Sequence, residues 1–232
     1  MLTNIMYSIV VPFFNEEQSI MPLCEAIAKT MASLGRPYEL IFINDGSTDG
    51  TGQNLKRIAE GSENVALVNS KVRSGQTSAL RSGFERARGD IIISMDGDMQ
   101  NDPNDIPGLI SEIEKGYDLV CGWRYMRKDP LSKKIASKFA NMVQRSIFKS
   151  CIHDISCTLR AYTKDTIKEL PLRREGAHRF IPYLLMMKGK KASEVKVNHR
   201  PRPYGKTKYG FCRSFKVAYD FLSLILNRGS WL

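Results

Sequence analysis

The sequence predicts an α/β fold built on one mostly parallel sheet flanked by helices, and three observations carry that prediction. Short β-rich runs alternate with segments of helical periodicity through the first half of the chain. One of these runs, 90–95 (DIIISM), is continuously apolar, the pattern of a strand buried on both faces. The chain has 232 residues, 42% of them hydrophobic and 25% charged, enough for one sizeable domain. That composition excludes disordered and fibrous classes.

The first run, 7–13 (YSIVVPF), is apolar and β-branched, and Pro12 is expected near its exit. Residues 16–34 place Leu23, Ile27, Met31 and Leu34 on one helical stripe, and 35–37 stops it. A strand at 39–43, turn-rich 44–52, a short helix at 54–60 and a strand at 65–69 follow. A helix over 75–88 leads to the buried strand, and a helix at 105–115 precedes a strand at 118–122. In the second half, 131–149 aligns Ile135, Phe139, Met142, Val143 and Ile147 on one helical face ringed by Lys133, Lys134, Lys138, Arg145 and Lys149. Residues 157–162 and 195–198 read as strands, with a helix around 180–188 between them. The last amphipathic segment, 211–226, is broken by Asp220. Periodicity leaves open whether these two amphipathic helices pack on the sheet or lie in a membrane interface. No repeat or linker forces a division. The expected organisation is a catalytic domain over 1–212 and a C-terminal amphipathic helix over 213–232 at the membrane periphery.

Charge divides the chain. Residues 1–120 carry 10 basic and 17 acidic side chains, a net of −7, whereas 121–232 carry 25 and 7, a net of +18, giving the overall +11. The second half therefore calls for an anionic partner: phosphates, a membrane surface or nucleic acid. No uncharged apolar run reaches the length that spans a bilayer. The N-terminus reads as a first strand rather than a signal peptide. Five cysteines without a CxxC pair suggest reduced thiols and a cytosolic setting. Cys151, His153 and Cys157 lie close together, and burial is the expected reason rather than zinc.

In a parallel sheet the ligand site lies beyond the carboxyl ends of the strands, and the polar clusters fall there: 15–16, 44–49 and 96–100. A Walker loop ending at Gly205–Lys206–Thr207 is excluded, because Arg200 stands where that loop needs glycine. No GxGxxG follows the first strand. The strongest cluster is Asp96-Gly-Asp98-Met-Gln100. Two carboxylates two residues apart suit a hard divalent cation, Mg²⁺ or Mn²⁺, with Gln100 adding a neutral oxygen and Gly97 permitting a tight backbone. The competing reading is an Asp-rich turn that caps a helix. Thr48 or Asp49 could likewise simply cap the helix after 44–51. Three acidic strand ends would repel a diphosphate unless a metal neutralised it.

Taken together, VVPFFNEE (10–17), NDGSTDGT (44–51), the segment 75–87, MDGDMQNDP (95–103) and GWR (122–124) resemble family 2 glycosyltransferases of the GT-A fold. HDISCTLRAY (153–162), HRFIP (178–182) and EVKVNHRPRPYGKTKYG (194–210) are similar to the polyprenyl-phosphate branch typified by dolichol-phosphate mannose synthase. The resemblance runs in consistent order from about Ser8 to Gly210. It implies nucleotide-sugar contacts at Pro12, Glu16, Asp45 and Asp96, and metal at Asp98 and Gln100. It implies catalytic roles for Asp96, Asp98, Arg124 and Arg202, with Gly205, Thr207 and Lys208 in the same late element as Arg202. Acceptor phosphate is expected at Lys134, Ser137, Arg200 and Lys208, with Lys133 beside them. Asn44 departs from the family's usual aspartate, and Lys133–Lys134 stand where arginines are frequent.

The implied activity is inverting transfer of a sugar from a UDP- or GDP-linked donor to dolichyl or undecaprenyl phosphate at the cytoplasmic face of the membrane. A homo-oligomer or membrane-protein partner would fit such an enzyme. The nearest alternative is a family member with a non-lipid acceptor, which would need a general base; Asp154 is the candidate, although a structural hydrogen bond is its expected role. A nucleic-acid-binding module is disfavoured by the acidic strand ends and the absence of a binding motif.

Overall fold

A computed structural model describes residues 6–125, 150–170, 172–205, 212–227, 229 and 231. The strands are β1 (Tyr7–Phe13), β2 (Tyr38–Asp45), β3 (Val65–Ser70), β4 (Ile91–Ser94), β5 (Leu119–Trp123), β6 (Arg160–Thr163) and β7 (Ala192–Lys196). The helices are α1 (Ile20–Leu34), α2 (Thr51–Glu60), α3 (Gln76–Arg86), α4 (Ile106–Glu114), α5 (Lys164–Lys168), α6 (Ile181–Met187) and α7 (Cys212–Leu226). Short 3-10 turns at Pro103–Asp105 and Ala177–Arg179 precede α4 and α6.

The seven strands form one sheet in the order β3-β2-β1-β4-β6-β5-β7. The pairs β1–β2, β2–β3, β1–β4 and β5–β7 are parallel, and β6 runs antiparallel between β4 and β5. The period-2 alternation of the strands sends side chains to two separate layers. Tyr7, Ile9, Val11 and Phe13 pack with Leu23 and Ile27 of α1 and Leu109 of α4. Val10, Ile41 and Ile92 pack on the opposite layer with Leu80, Phe84, Phe180 and Leu184. Helices on both faces are what doubly apolar central strands demand.

Several elements differ from the sequence expectation: β6 starts at Arg160 rather than 157, β7 runs Ala192–Lys196 rather than 195–198, α5 has no counterpart in it, and α1, α2 and α7 differ as well. Residues 16–19 are not helical, and α1 begins at Ile20. α2 begins at Thr51, three residues earlier than expected, because Asp49 Oδ1 accepts from Thr51 N at 3.0 Å and satisfies the helix entrance. Asp220 does not break the last helix. It is buried within α7 and pairs with Arg179 Nη1 at 3.4 Å, so charge pairing replaces solvation. α7 turns Phe221 and Leu224 into the core and leaves Tyr219, Leu222 and Leu226 exposed. The segment thus both packs on the domain and presents an apolar outer stripe. Among the described residues no helix is long and apolar enough to cross a membrane. The helix expected over 131–149 lies outside the described residues.

At the end of the sheet away from the polar clusters, Glu39 is buried against the first strand. It accepts from Ser8 Oγ at 2.7 Å, Arg88 N at 2.7 Å and Arg88 Nε at 3.0 Å. Burial pushes the Glu39 carboxyl up, but the bonds from Ser8 and Arg88 and the Arg88 charge outweigh it, leaving the group below its ordinary value of 4.5. A carboxyl so depressed stabilises the fold above that ordinary value and loses the contribution as pH falls through its folded value. Glu39→Gln is therefore expected to flatten the acid limb of a melting-temperature profile below about pH 5. An acid limb as steep as that of the wild type would contradict this.

Candidate active site

From β1 the sheet extends through β2 and β3 in one direction and through β4 in the other. The gap beyond the carboxyl ends of β1 and β4 is therefore a topological switch point. A cleft opens there. Pro12, Glu16, Asp45, Asp96, Asp98 and Arg202 all line it, so six of the residues singled out by sequence meet in one place. They come from segments separated by up to 190 positions, brought together by the strand order and by the segment 199–205 that lies across the turn after β4.

The first two turns are locked to one another. Asn15 adopts the left-handed conformation (φ 51°), which breaks the chain direction after Phe13. Its backbone N–H donates to Ser47 Oγ at 3.0 Å, and its Oδ1 accepts from Thr48 N at 2.8 Å. Glu16 N donates to Thr51 Oγ1 at 2.9 Å. Because Glu16 precedes α1, its carboxylate turns into the cleft instead of along a helix surface. Asp45 lines the cleft but its oxygens are engaged from behind. Oδ1 accepts from Ser74 N at 2.6 Å and Ser74 Oγ at 2.8 Å, and Oδ2 from Gly75 N at 3.0 Å. Asn44 turns away, donating from Nδ2 to Asn69 Oδ1 at 2.8 Å and accepting from Ser47 N at 3.1 Å.

The DGDMQ turn follows β4. Asp96 N donates to Asn101 Oδ1 at 3.1 Å, Gln76 Nε2 donates to Asp96 Oδ1 at 2.8 Å, and Gln100 N donates to Asp98 Oδ1 at 3.1 Å. The tight backbone expected at Gly97 lies instead at Met99 (φ 61°), a non-glycine residue in the left-handed region. Gly97 serves a different end: a Cβ there would stand 2.5 Å from the Phe13 ring, so only glycine lets the turn lie flat on β1.

Residues 199–205 lie across this turn. His199 bridges to Asn101, and Arg200 N donates to Gln100 O at 3.0 Å. Arg200 Nη2 pairs with Asp102 Oδ2 at 2.6 Å. Arg202 reaches the floor of the cleft, where Nη1 donates to Glu16 Oε1 at 2.7 Å and Nη2 to Asp98 Oδ2 at 2.6 Å. Burial lowers the Arg202 basicity, and the charges of Asp98 and Glu16 outweigh it, holding the guanidinium above its ordinary value.

Arg124, directly after β5, is set against Asp154 rather than in the cleft wall. Nε donates to Oδ2 at 2.7 Å, and Nη2 to Oδ1 at 2.9 Å and to Ser156 Oγ at 2.6 Å. The Asp154 oxygens, proposed above as a possible general base, are thus occupied by a bidentate guanidinium. Cys157 is buried but Cys151 is exposed, so burial accounts for only one of that pair of thiols. His153 stacks on Trp123 with ring centroids 4.2 Å apart and pairs through Nδ1 with Glu194, which accounts for its position. Lys133, Lys134, Ser137, Thr207 and Lys208 lie outside the described residues.

Sequence reasoning missed three cleft neighbours. Arg73 lies over the Phe14 ring at 4.0 Å and lines the cleft, as does Gln76. Glu175 reaches from a distant loop to accept from Thr77 N at 3.1 Å at the entrance of α3. The signal for Arg73 was weak: it is one of two cations, with Lys71, in the turn after β3. Glu175 had none, because its partner is 98 positions away.

Among the described residues no three His, Cys, Asp or Glu side chains cluster closely enough to hold a metal by themselves. The donor set of Asp96, Asp98 and Gln100 nevertheless fits a hard cation that takes few protein oxygens and completes its shell with phosphate oxygens and water.

Comparison with known proteins bears on this site. The family model for glycosyl transferase family 2 matches residues 8–171. A dodecaprenyl-phosphate galacturonate synthase of Rhizobium johnstonii is 43% identical over 224 residues, covering 94% of this chain and 66% of that protein. An undecaprenyl-phosphate 4-deoxy-4-formamido-L-arabinose transferase of Pectobacterium atrosepticum is 36% identical over 219 residues, covering 94% and 67%. The chain thus spans about two thirds of the length of these relatives. Among solved structures, glucosyl-3-phosphoglycerate synthase from Mycobacterium tuberculosis with Mn²⁺, UDP and phosphoglyceric acid superposes with a TM-score of 0.73 at 19% identity. The match covers 97% of this chain and 78% of that one. The same enzyme with Mg²⁺ and UDP gives 0.69 at 17% identity, covering 97% and 79%. These are likenesses of fold, and the fold they share is GT-A.

Proposed function

We propose, from the premise that this chain belongs to glycosyl transferase family 2, that it transfers a sugar from a nucleotide-sugar donor to a polyprenyl phosphate with inversion at the anomeric carbon. The observation that carries the reading is the meeting of Glu16, Asp45, Asp96, Asp98 and Arg202 in one cleft at the switch point of the sheet. The names of the relatives supply the acceptor class, dodecaprenyl and undecaprenyl phosphate.

The chemistry follows from the charges. A lipid monophosphate is already an anion near neutral pH, so its oxygen attacks without a base to deprotonate it. The nucleophile instead needs cationic positioning against the donor diphosphate. Arg202 and Arg200 lie at the cleft and beside it, and Lys134 with Ser137 and Lys208 are assigned to the acceptor phosphate. Pro12, Glu16, Asp45 and Asp96 are assigned to the nucleotide end. Asp98 and Gln100 would hold Mg²⁺ or Mn²⁺, which supplies Lewis-acid stabilisation of the departing nucleoside diphosphate. Arg124 is assigned to the phosphates through its position after β5, steadied by Asp154.

The non-lipid alternative needs a general base, and the occupied oxygens of Asp154 weaken it. The net +18 of residues 121–232 and the exposed stripe of Tyr219, Leu222 and Leu226 support peripheral attachment to an anionic cytoplasmic membrane face. The test incubates the protein, divalent metal and undecaprenyl phosphate with a panel of labelled nucleotide sugars that includes galacturonate and 4-deoxy-4-formamido-L-arabinose donors. Organic-extractable, mild-acid-labile label is expected with one donor. Label that stays in the aqueous phase with every donor would contradict the proposal.

A further inference from the structure

We infer that Arg202 is an exchangeable counter-ion for the metal carboxylate, released from Asp98 when the divalent cation binds and thereby made available to a phosphate. The inference rests on the metal assignment of Asp98 given above.

The geometry is specific. Asp98 is nearly buried and has two carboxylate oxygens. Oδ1 is fixed by Gln100 N, which holds the turn, and Oδ2 receives Arg202 Nη2 at 2.6 Å. The oxygen that a cation would take is therefore the one the guanidinium holds. On its other side the same guanidinium holds Glu16 at 2.7 Å, so one cation neutralises two carboxylates that would otherwise face each other across the cleft. A divalent ion at Asp98 and a guanidinium at Oδ2 repel one another, so the two cannot share that oxygen at full strength.

The surroundings allow the exchange. Arg202 sits in the strap 199–205, which is held independently by Arg200 on Asp102 and by the His199–Asn101 bridge. The guanidinium can leave Asp98 without losing the strap. Glu16 remains as its second anchor and keeps it at the cleft floor, where the diphosphate is expected. Close beyond lies Gly205 (φ +70°), where an added Cβ would stand 3.9 Å from Arg202 Nη1. The local turn therefore leaves room beside the guanidinium. Coupling of this kind is reciprocal: whatever draws Arg202 away tightens the cation, and the cation loosens Arg202.

The probe is Mn²⁺ alone, titrated by electron paramagnetic resonance without nucleotide into wild type, Arg202→Gln, Arg202→Lys and Asp98→Asn, with each protein's folding checked by circular dichroism. Removing the competing charge in Arg202→Gln is expected to tighten Mn²⁺ binding at least about fivefold. Arg202→Lys keeps the charge but not the two-pronged reach and should fall between. UDP ligates the ion in both proteins, so the reading is the gap between them: with UDP present the difference in Mn²⁺ affinity between wild type and Arg202→Gln should narrow, because the diphosphate draws the guanidinium from Asp98. Equal or weaker Mn²⁺ affinity in folded Arg202→Gln, with binding that Asp98→Asn abolishes, would overturn the exchange and leave the metal site standing. Binding that Asp98→Asn leaves intact would overturn the metal assignment and the exchange together.

Discussion

Asp98→Ala is expected to lower sugar transfer by about a thousandfold and to remove its dependence on divalent metal. Loss of a group that stabilises developing charge typically costs about 10²–10³ in rate. Asp98→Asn separates chemistry from folding: the isostere can still accept from Gln100 N, so the Met99 turn survives while the charge is lost. Steady-state rates at saturating donor, with and without Mg²⁺, distinguish the cases. Full metal-dependent activity in Asp98→Asn would contradict the assignment. The structure adds a consequence that motif matching does not contain. Without the Asp98 charge, Arg202 keeps its hydrogen bond to Glu16 and the nearby charge of Asp96 among the described residues, so donor affinity and turnover should both change.

Asp154→Ala is expected to be the most destabilising single change near the site. Asp154 and Arg124 form a two-pronged pair in which both side chains are largely buried, at 4% and 14% exposure. Burial opposes the Arg124 charge, and the Asp154 carboxylate outweighs it, holding the guanidinium above its ordinary value. Removing one partner leaves an uncompensated buried charge, which costs about 3–5 kcal/mol. In a chain of this size that lowers the melting temperature by on the order of 10 °C. The same variant tests the general-base alternative. A base acts on turnover with little effect on stability, whereas the clamp seen here requires the melting point to fall. An unchanged melting temperature with lost turnover would favour the base.

Much of the scaffold was legible in the sequence because its central strands are apolar on both faces. Tyr7–Phe13 matches the expected first strand to the residue, and no packing partner could alter so consistent a pattern. The errors fall where long-range bonds override local pattern. α1 starts at Ile20, and Glu16, left outside the helix, pairs with Arg202, 186 positions away, a bond that no local pattern announces. Asp220 looked like a helix breaker until Arg179 neutralised it. Cleft residues announced by strand-end motifs, such as Glu16, Asp45 and Asp98, were found. Those set by tertiary pairing were not: the Arg124–Asp154 clamp, the Asp45 bonds to Ser74 and Gly75, and the reach of Glu175 have no signature within a few residues of themselves. Gly97 was found for the wrong reason, since its neighbour Phe13 and not its own backbone angle demands glycine.

Under the proposed function the acceptor reaches the cleft already ionised, so transfer needs cations to position it and no proton to be removed from it. The direct measurement offers the protein the same labelled donor and metal with undecaprenyl phosphate and with undecaprenol, the uncharged alcohol of the same chain. Transfer to the phosphate and none to the alcohol is the predicted result. Comparable transfer to the alcohol would require a group that takes up its proton, and would contradict the proposed function.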